Sequence, residues 1–122
     1  MKRNLDLIRT ILLCLEEANP NELLTVSSFV TDEYDEHTIS LHIKLLLDCN
    51  YIEATPVRYI SMQFDDFRIS RITSSGYDYL DSVRNENVWT KTKEKISEVG
   101  ESVSLDVVKK VASSTILTML GI

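Results

Sequence analysis

The chain has 122 residues, 43% hydrophobic and 26% charged, enough for one packed domain and too apolar for a disordered segment. Thirteen Lys and Arg against nineteen Asp and Glu leave a net charge of −6, which disfavours a nonspecific coat for nucleic acid or anionic membrane, since both need surplus cations. No apolar run reaches the length of a membrane span, and Asp6, Arg9, Glu16 and Glu17 break up the opening hydrophobic stretch, unlike a signal peptide; no membrane association and a cytoplasmic location are expected.

Leu5, Ile8, Leu12 and Leu15 recur at helical spacing, widened by Leu7, Ile11 and Cys14, and predict a helix over 4–18 that packs against more than one neighbour. Asn19-Pro20-Asn21 ends it. Residues 23–30, LLTVSSFV, fit either a short strand or a degenerate second helix. A second clear helix is expected over 36–49, with Ile39, Ile43, Leu46 and Leu47 as its buried stripe and Asn50 as a left-handed stop. Residues 51–60 then read as a strand, 61–66 as a turn and 67–73 as the returning strand. Arg68 and Arg71 break the alternation of that second strand, which predicts a bulge or a strand that is only partly paired.

Thr73 is placed to cap a helix over 74–84 with Leu80 and Val83 inward. A further amphipathic helix over 85–99 has Trp89, Thr92, Ile96 and Val99 as its expected inner face, and Gly100 stops it. Ser104 caps a last helix, 105 to about 120, whose Val107, Val108, Val111, Leu117 and Leu120 are apolar. Its end carries more apolar residues than one stripe needs, so it is either clamped beneath the first helix or paired with a second chain as a homodimer. Cys14 and Cys49 lack CxxC spacing and read as reduced core thiols.

An enzyme fails on inventory: two histidines, three glycines, no nucleophile elbow, no zinc-protease motif and no phosphate loop. His37 and His42 are five apart on one helix, and a helix brings residues three or four apart onto one face, so they form no metal pair; no cofactor is expected. The order helix, extended segment, helix, hairpin, helix is that of a winged helix, in which the second helix enters the major groove and the hairpin lies along the backbone. The expected fold is therefore mainly α with a small β-hairpin (α+β): a winged-helix-like core over 1–84 with a two-helix extension over 85–122 packed on it, one domain overall.

Local segments carry the same resemblance. His42, Ile43, Leu45, Leu46, Tyr51 and Ile52 are similar to the recognition helix and following strand of winged-helix regulators, and Ile72-Thr73-Ser74-Ser75-Gly76 with Leu80 to the segment that opens their next helix. Over almost the whole chain, MKRNLDLIRTILLCLEE, TISLHIKLL and VRNENVWTKTKEKISEVGESVSLDVVKKVAS resemble domain of unknown function family 2513, small bacterial and prophage proteins of winged-helix type. Asn50-Tyr51 departs from that pattern, standing in place of a Gly-Leu pair. The resemblance implies a fold and no catalytic residue.

If the helix over 36–49 reads double-stranded DNA, its outward Thr38, Ser40, Leu41 and Lys44 should do so, with Arg58 and Arg68 of the wing near phosphates. Against that stands the charge map: residues 1–50 hold four cations and nine carboxylates. The competing reading is a winged helix without DNA affinity that presents Asp32, Glu33, Asp35 and Glu36 to a protein partner, such as a host protein met by a phage protein. Lys91, Lys93 and Lys95, interleaved with Glu94 and Glu98, read as a solvated face.

Overall fold

The computed structural model describes residues 1–122. It is an α+β fold with α1 (Leu5–Glu17), a 3-10 turn (Val26–Phe29), α2 (Glu36–Asp48), β1 (Ile52–Val57), β2 (Asp66–Ile72), α3 (Ser74–Val83), α4 (Glu86–Ser97) and α5 (Leu105–Met119). Contacts divide the chain into residues 1–77 and 78–122, with the boundary inside α3.

In the first unit, α1 starts where the Asn4 side chain accepts the Leu7 N–H at 3.0 Å, and it buries Leu5, Leu7, Ile8, Ile11 and Leu12. Leu15 is only half-buried, and Cys14, expected in the core, is exposed; burial of its surroundings still pushes the Cys14 thiol up from its ordinary value. Residues 23–30 hold a degenerate helix preceded by one strand-like bridge. Leu24 makes a single bridge to Ile69, and the 3-10 turn then buries Val26 and Phe29. The Asp66 carboxylate fixes this turn by accepting the Val26 N–H at 3.1 Å.

The α2 helix buries Ile39, Ile43 and Leu46 as its periodicity predicts, but Leu47 is half-buried and the polar Ser40 and His42 are buried instead. Asn50 ends it at φ 58°, the left-handed conformation that asparagine tolerates better than most non-glycine residues. The hairpin strands pair antiparallel, and the register shifts after Glu53, leaving Ser70 as the extra residue of the bulge that Arg68 and Arg71 foreshadowed. The first strand stops at Val57 rather than residue 60, because the ladder closes at the Val57–Asp66 pair.

Thr73 joins the hairpin to α3. Its hydroxyl donates to the Asn50 carbonyl at 2.5 Å and accepts the Gly76 N–H at 3.1 Å. Leu80 and Val83 are fully buried, as their spacing requires.

In the second unit, the Asn85 side chain caps α4 and Ser104 caps α5. The inner face of α4 is Val88, Trp89, Thr92 and Ile96; Val99, expected there, lies beyond the helix end and is 80% exposed. On α5 the buried residues are Leu105, Val108, Ala112 and Thr115, whereas Val107, Leu117 and Leu120 are exposed. The two helices pack together, and the Lys95 ammonium donates to the Thr115 hydroxyl at 3.0 Å. No helix is long and apolar enough to cross a membrane.

Candidate nucleic-acid interface

The outward face of α2 and the hairpin tip, residues 62–65, enclose a cleft of about 340 Å³ lined by His37, Ser40, Leu41, Lys44, Phe64 and Asp65 among others. The sequence places these groups through two local rules. Asp35 caps α2 by accepting the Thr38 N–H at 2.9 Å, which fixes where the helix begins and so which side chains face outward. That hydrogen bond also holds the Asp35 carboxyl below the usual carboxylate range. The eight residues between β1 and β2 are too many for a tight hairpin turn, and they fold back over the helix.

Of the six residues expected to read DNA, three meet in this cleft: Ser40, Leu41 and Lys44. Ser40 is not outward, however. It is buried, and its hydroxyl donates to the Asp65 main-chain oxygen at 2.6 Å. Lys44 is half-exposed and ion-paired with the Asp65 carboxylate. Leu41 is half-buried. Thr38 does not line the cleft; its carbonyl accepts a bond from the His42 ring at 2.8 Å. Arg58 borders an adjoining depression that shares Met62 and Asp65 with the cleft. Arg68 stands exposed on β2 opposite Thr55, outside both.

Asp65 is thus the centre of the site. The hydrogen bond and charge of Lys44, helped by the charge of Arg58, hold its carboxyl below the usual carboxylate range. From sequence this segment reads only as a solvated turn, since the partners of Asp65 on α2 lie 21 and 25 residues away. Phe64 closes the outer wall, its ring edge-to-face with His37 at 6.3 Å between centroids.

His42 is the second residue that periodicity missed. It is fully buried: Nδ1 donates to the Thr38 carbonyl and Nε2 accepts the Asn4 N–H, each at 2.8 Å. Both bonds exist together only for the neutral ring, and burial pushes the His42 pKa down. Because Asn4 also caps α1 and donates to the Tyr34 hydroxyl at 3.1 Å, the imidazole ties the start of α1 to α2. It is a structural brace behind the cleft. No group of three or more His, Cys, Asp or Glu is placed to hold a metal ion.

The four acidic candidates are dispersed. Asp35 is committed to its cap and Glu36 sits half-buried in the first turn of α2. Asp32 and Glu33 line a separate groove of about 700 Å³ with Asp6, Leu7, Ile11 and Phe29. Lys91, Lys93 and Lys95 are exposed, with the Lys93 ammonium 5.7 Å from the Trp89 ring centre.

These features define an α+β domain in which a hairpin tip folds over the face of a helix. The chain belongs to the family described as hypothetical protein (DUF2513), which matches residues 2–102. It is also similar to an uncharacterized protein of Haemophilus influenzae, 38% identical over 121 residues, covering 99% of this chain and all of that protein. No solved structure matches it.

Proposed function

We propose that the first unit is a winged-helix-type module that binds double-stranded DNA, with α2 as the recognition helix and the hairpin as the wing, in a non-enzymatic regulator of prophage type. The observation that carries this reading is the single cleft in which Ser40, Leu41 and Lys44 of α2 meet the hairpin tip, with Arg58 beside it. A helix flanked by a hairpin matches the shape of a major groove bordered by a phosphate backbone. The test is fluorescence anisotropy with random-sequence duplexes at low and physiological salt, followed by enrichment. Saturable, salt-steep binding that Lys44→Ala with Arg58→Ala weakens supports it. No binding by the native chain at low salt refutes it.

A second reading, a protein-interaction module, is favoured by the groove lined by Asp6, Asp32 and Glu33 together with Leu7, Ile11 and Phe29. Acidic groups beside apolar ones suit a cationic, amphipathic partner. Asp32→Asn with Glu33→Gln should then weaken partner capture in a pull-down, and unchanged capture removes the idea.

A further inference from the structure

We propose that Asp65 is an intramolecular stand-in for a nucleic-acid phosphate, a carboxylate that fills the anion subsite of Lys44 and must be displaced before α2 engages DNA. The proposal rests on the DNA reading above and deepens it by naming the group that regulates that face.

The geometry is specific. Two of the α2 side chains aimed at the cleft, Ser40 and Lys44, both end on one residue of the hairpin tip: the hydroxyl on the Asp65 main-chain oxygen, the ammonium on its carboxylate. A second cation, Arg58, borders the adjoining depression that Asp65 also lines, and its charge acts on the same carboxylate. One anion paired with a lysine and within the field of an arginine is the arrangement a backbone phosphate would meet. With Asp65 in place, a phosphate approaching Lys44 finds its cation neutralised and a negative charge beside it, so the cleft is closed to DNA electrostatically as well as sterically.

Breaking the ion pair takes little. The Lys44 and Asp65 side chains are 44% and 56% exposed, and ion pairs this wet hold only weakly. The tip is also anchored independently at its base, where the Asp66 carboxylate accepts the N–H groups of Val26 and Phe67 at 3.1 and 2.8 Å. The Asp65 side chain can therefore swing off Lys44 while its main-chain bond to Ser40 and the hairpin pairing are both kept. A polyanion offering several phosphates competes for Lys44 and Arg58 together, which a single carboxylate cannot match.

The experiment compares the full chain with Asp65→Asn, which keeps the side-chain shape and removes the charge, and with Asp65→Ala, all checked by circular dichroism. Two readouts are taken: acetylation of Lys44 by acetic anhydride, followed by mass spectrometry, and anisotropy of a labelled random-sequence 20-base-pair duplex across a salt series. The expected result is several-fold faster Lys44 acetylation, about five- to tenfold tighter duplex binding by Asp65→Asn, and a salt slope steeper by roughly one phosphate contact. Adding Lys44→Ala to Asp65→Asn should cancel the gain. Unchanged acetylation overturns the proposal, because the pair does not then hold in solution. Faster acetylation with unchanged affinity and slope also overturns it while leaving the DNA reading intact. Faster acetylation with no duplex binding by any variant overturns both.

Discussion

Gly76→Ala sets two physical effects against each other with opposite signs. Alanine is the better helix former by at most about 1 kcal/mol, and Gly76 lies in the first turn of α3, so propensity alone makes the change stabilising. The surroundings reverse this. A Cβ at Gly76 would stand 2.1 Å from the Tyr51 carbonyl oxygen, 2.7 Å from the Ile72 Cγ2 and 2.9 Å from the Tyr51 carbonyl carbon. The first gap is more than an ångström inside ordinary contact, and its obstacle is backbone. That carbonyl cannot swing away without loss, since it accepts the Thr73 N–H at 2.9 Å, and the neighbouring Asn50 carbonyl is held by the Thr73 hydroxyl. Overpacking typically costs about 1–3 kcal/mol and a pinned backbone belongs at the upper end, so the net expectation is about 2 kcal/mol of destabilisation. In a domain of this size that lowers Tm by roughly 10 °C. Urea and thermal unfolding followed by circular dichroism measure it, with the exposed Ser75→Ala in the same turn as the control expected to be neutral or slightly stabilising. A Gly76→Ala chain as stable as the native one would refute the close approach of Gly76 to the Tyr51 backbone.

His42, buried as the neutral ring, has its folded pKa depressed below the ordinary 6.5, so the unfolded chain binds the extra proton first as pH falls. Stability from this group is complete above about pH 6.5 and declines below it by at most about 1.4 kcal/mol per pH unit until the folded pKa is reached; an NMR titration midpoint for His42 above 6.5 would contradict the brace. Asn4→Ala removes the α1 cap and the bond to Tyr34 and should cost about 1–2 kcal/mol in urea unfolding, whereas Asn4→Asp, which can still cap, should recover most of it.

Local rules carried much of the first unit. The Asn50 stop, the Thr73 cap and the bulge beside Arg71 each depend on residues adjacent in sequence, and each appears where its chemistry points. The same holds for Ser104 at the start of α5. Periodicity was weaker where an element ended early: Val99 continues the helical spacing of Trp89, Thr92 and Ile96, yet the helix stops at Ser97 and Val99 is left in solvent. Burial of Ser40 and His42 was illegible for a different reason. Both are polar, and their partners Asp65 and Asn4 lie 25 and 38 residues away, so no window of local sequence contains the bond that makes burial affordable.

The acidity of the first fifty residues weighed against DNA when each carboxylate was counted as a charge facing the ligand. Placed in the fold, one of these carboxylates and two hairpin carboxylates outside that count have other work. Asp35 is held by the start of α2, and in the hairpin Asp65 answers Lys44 while Asp66 answers two backbone N–H groups. A carboxylate engaged by N–H donors or a cation projects less net field than an unpartnered one, because the partner's dipole or charge opposes it. The repulsion that a phosphate would meet near α2 is therefore smaller than a bare count of carboxylates implies: Asp65 is the acidic residue lining the cleft, and Asp32 and Glu33 lie along a different groove. DNA and protein readings thus map to two separate surfaces of the same unit. Removing the Asp65 charge should alter the first and leave the second untouched, so the two variants, Asp65→Asn and Asp32→Asn with Glu33→Gln, sort one function from the other in a single pair of binding assays.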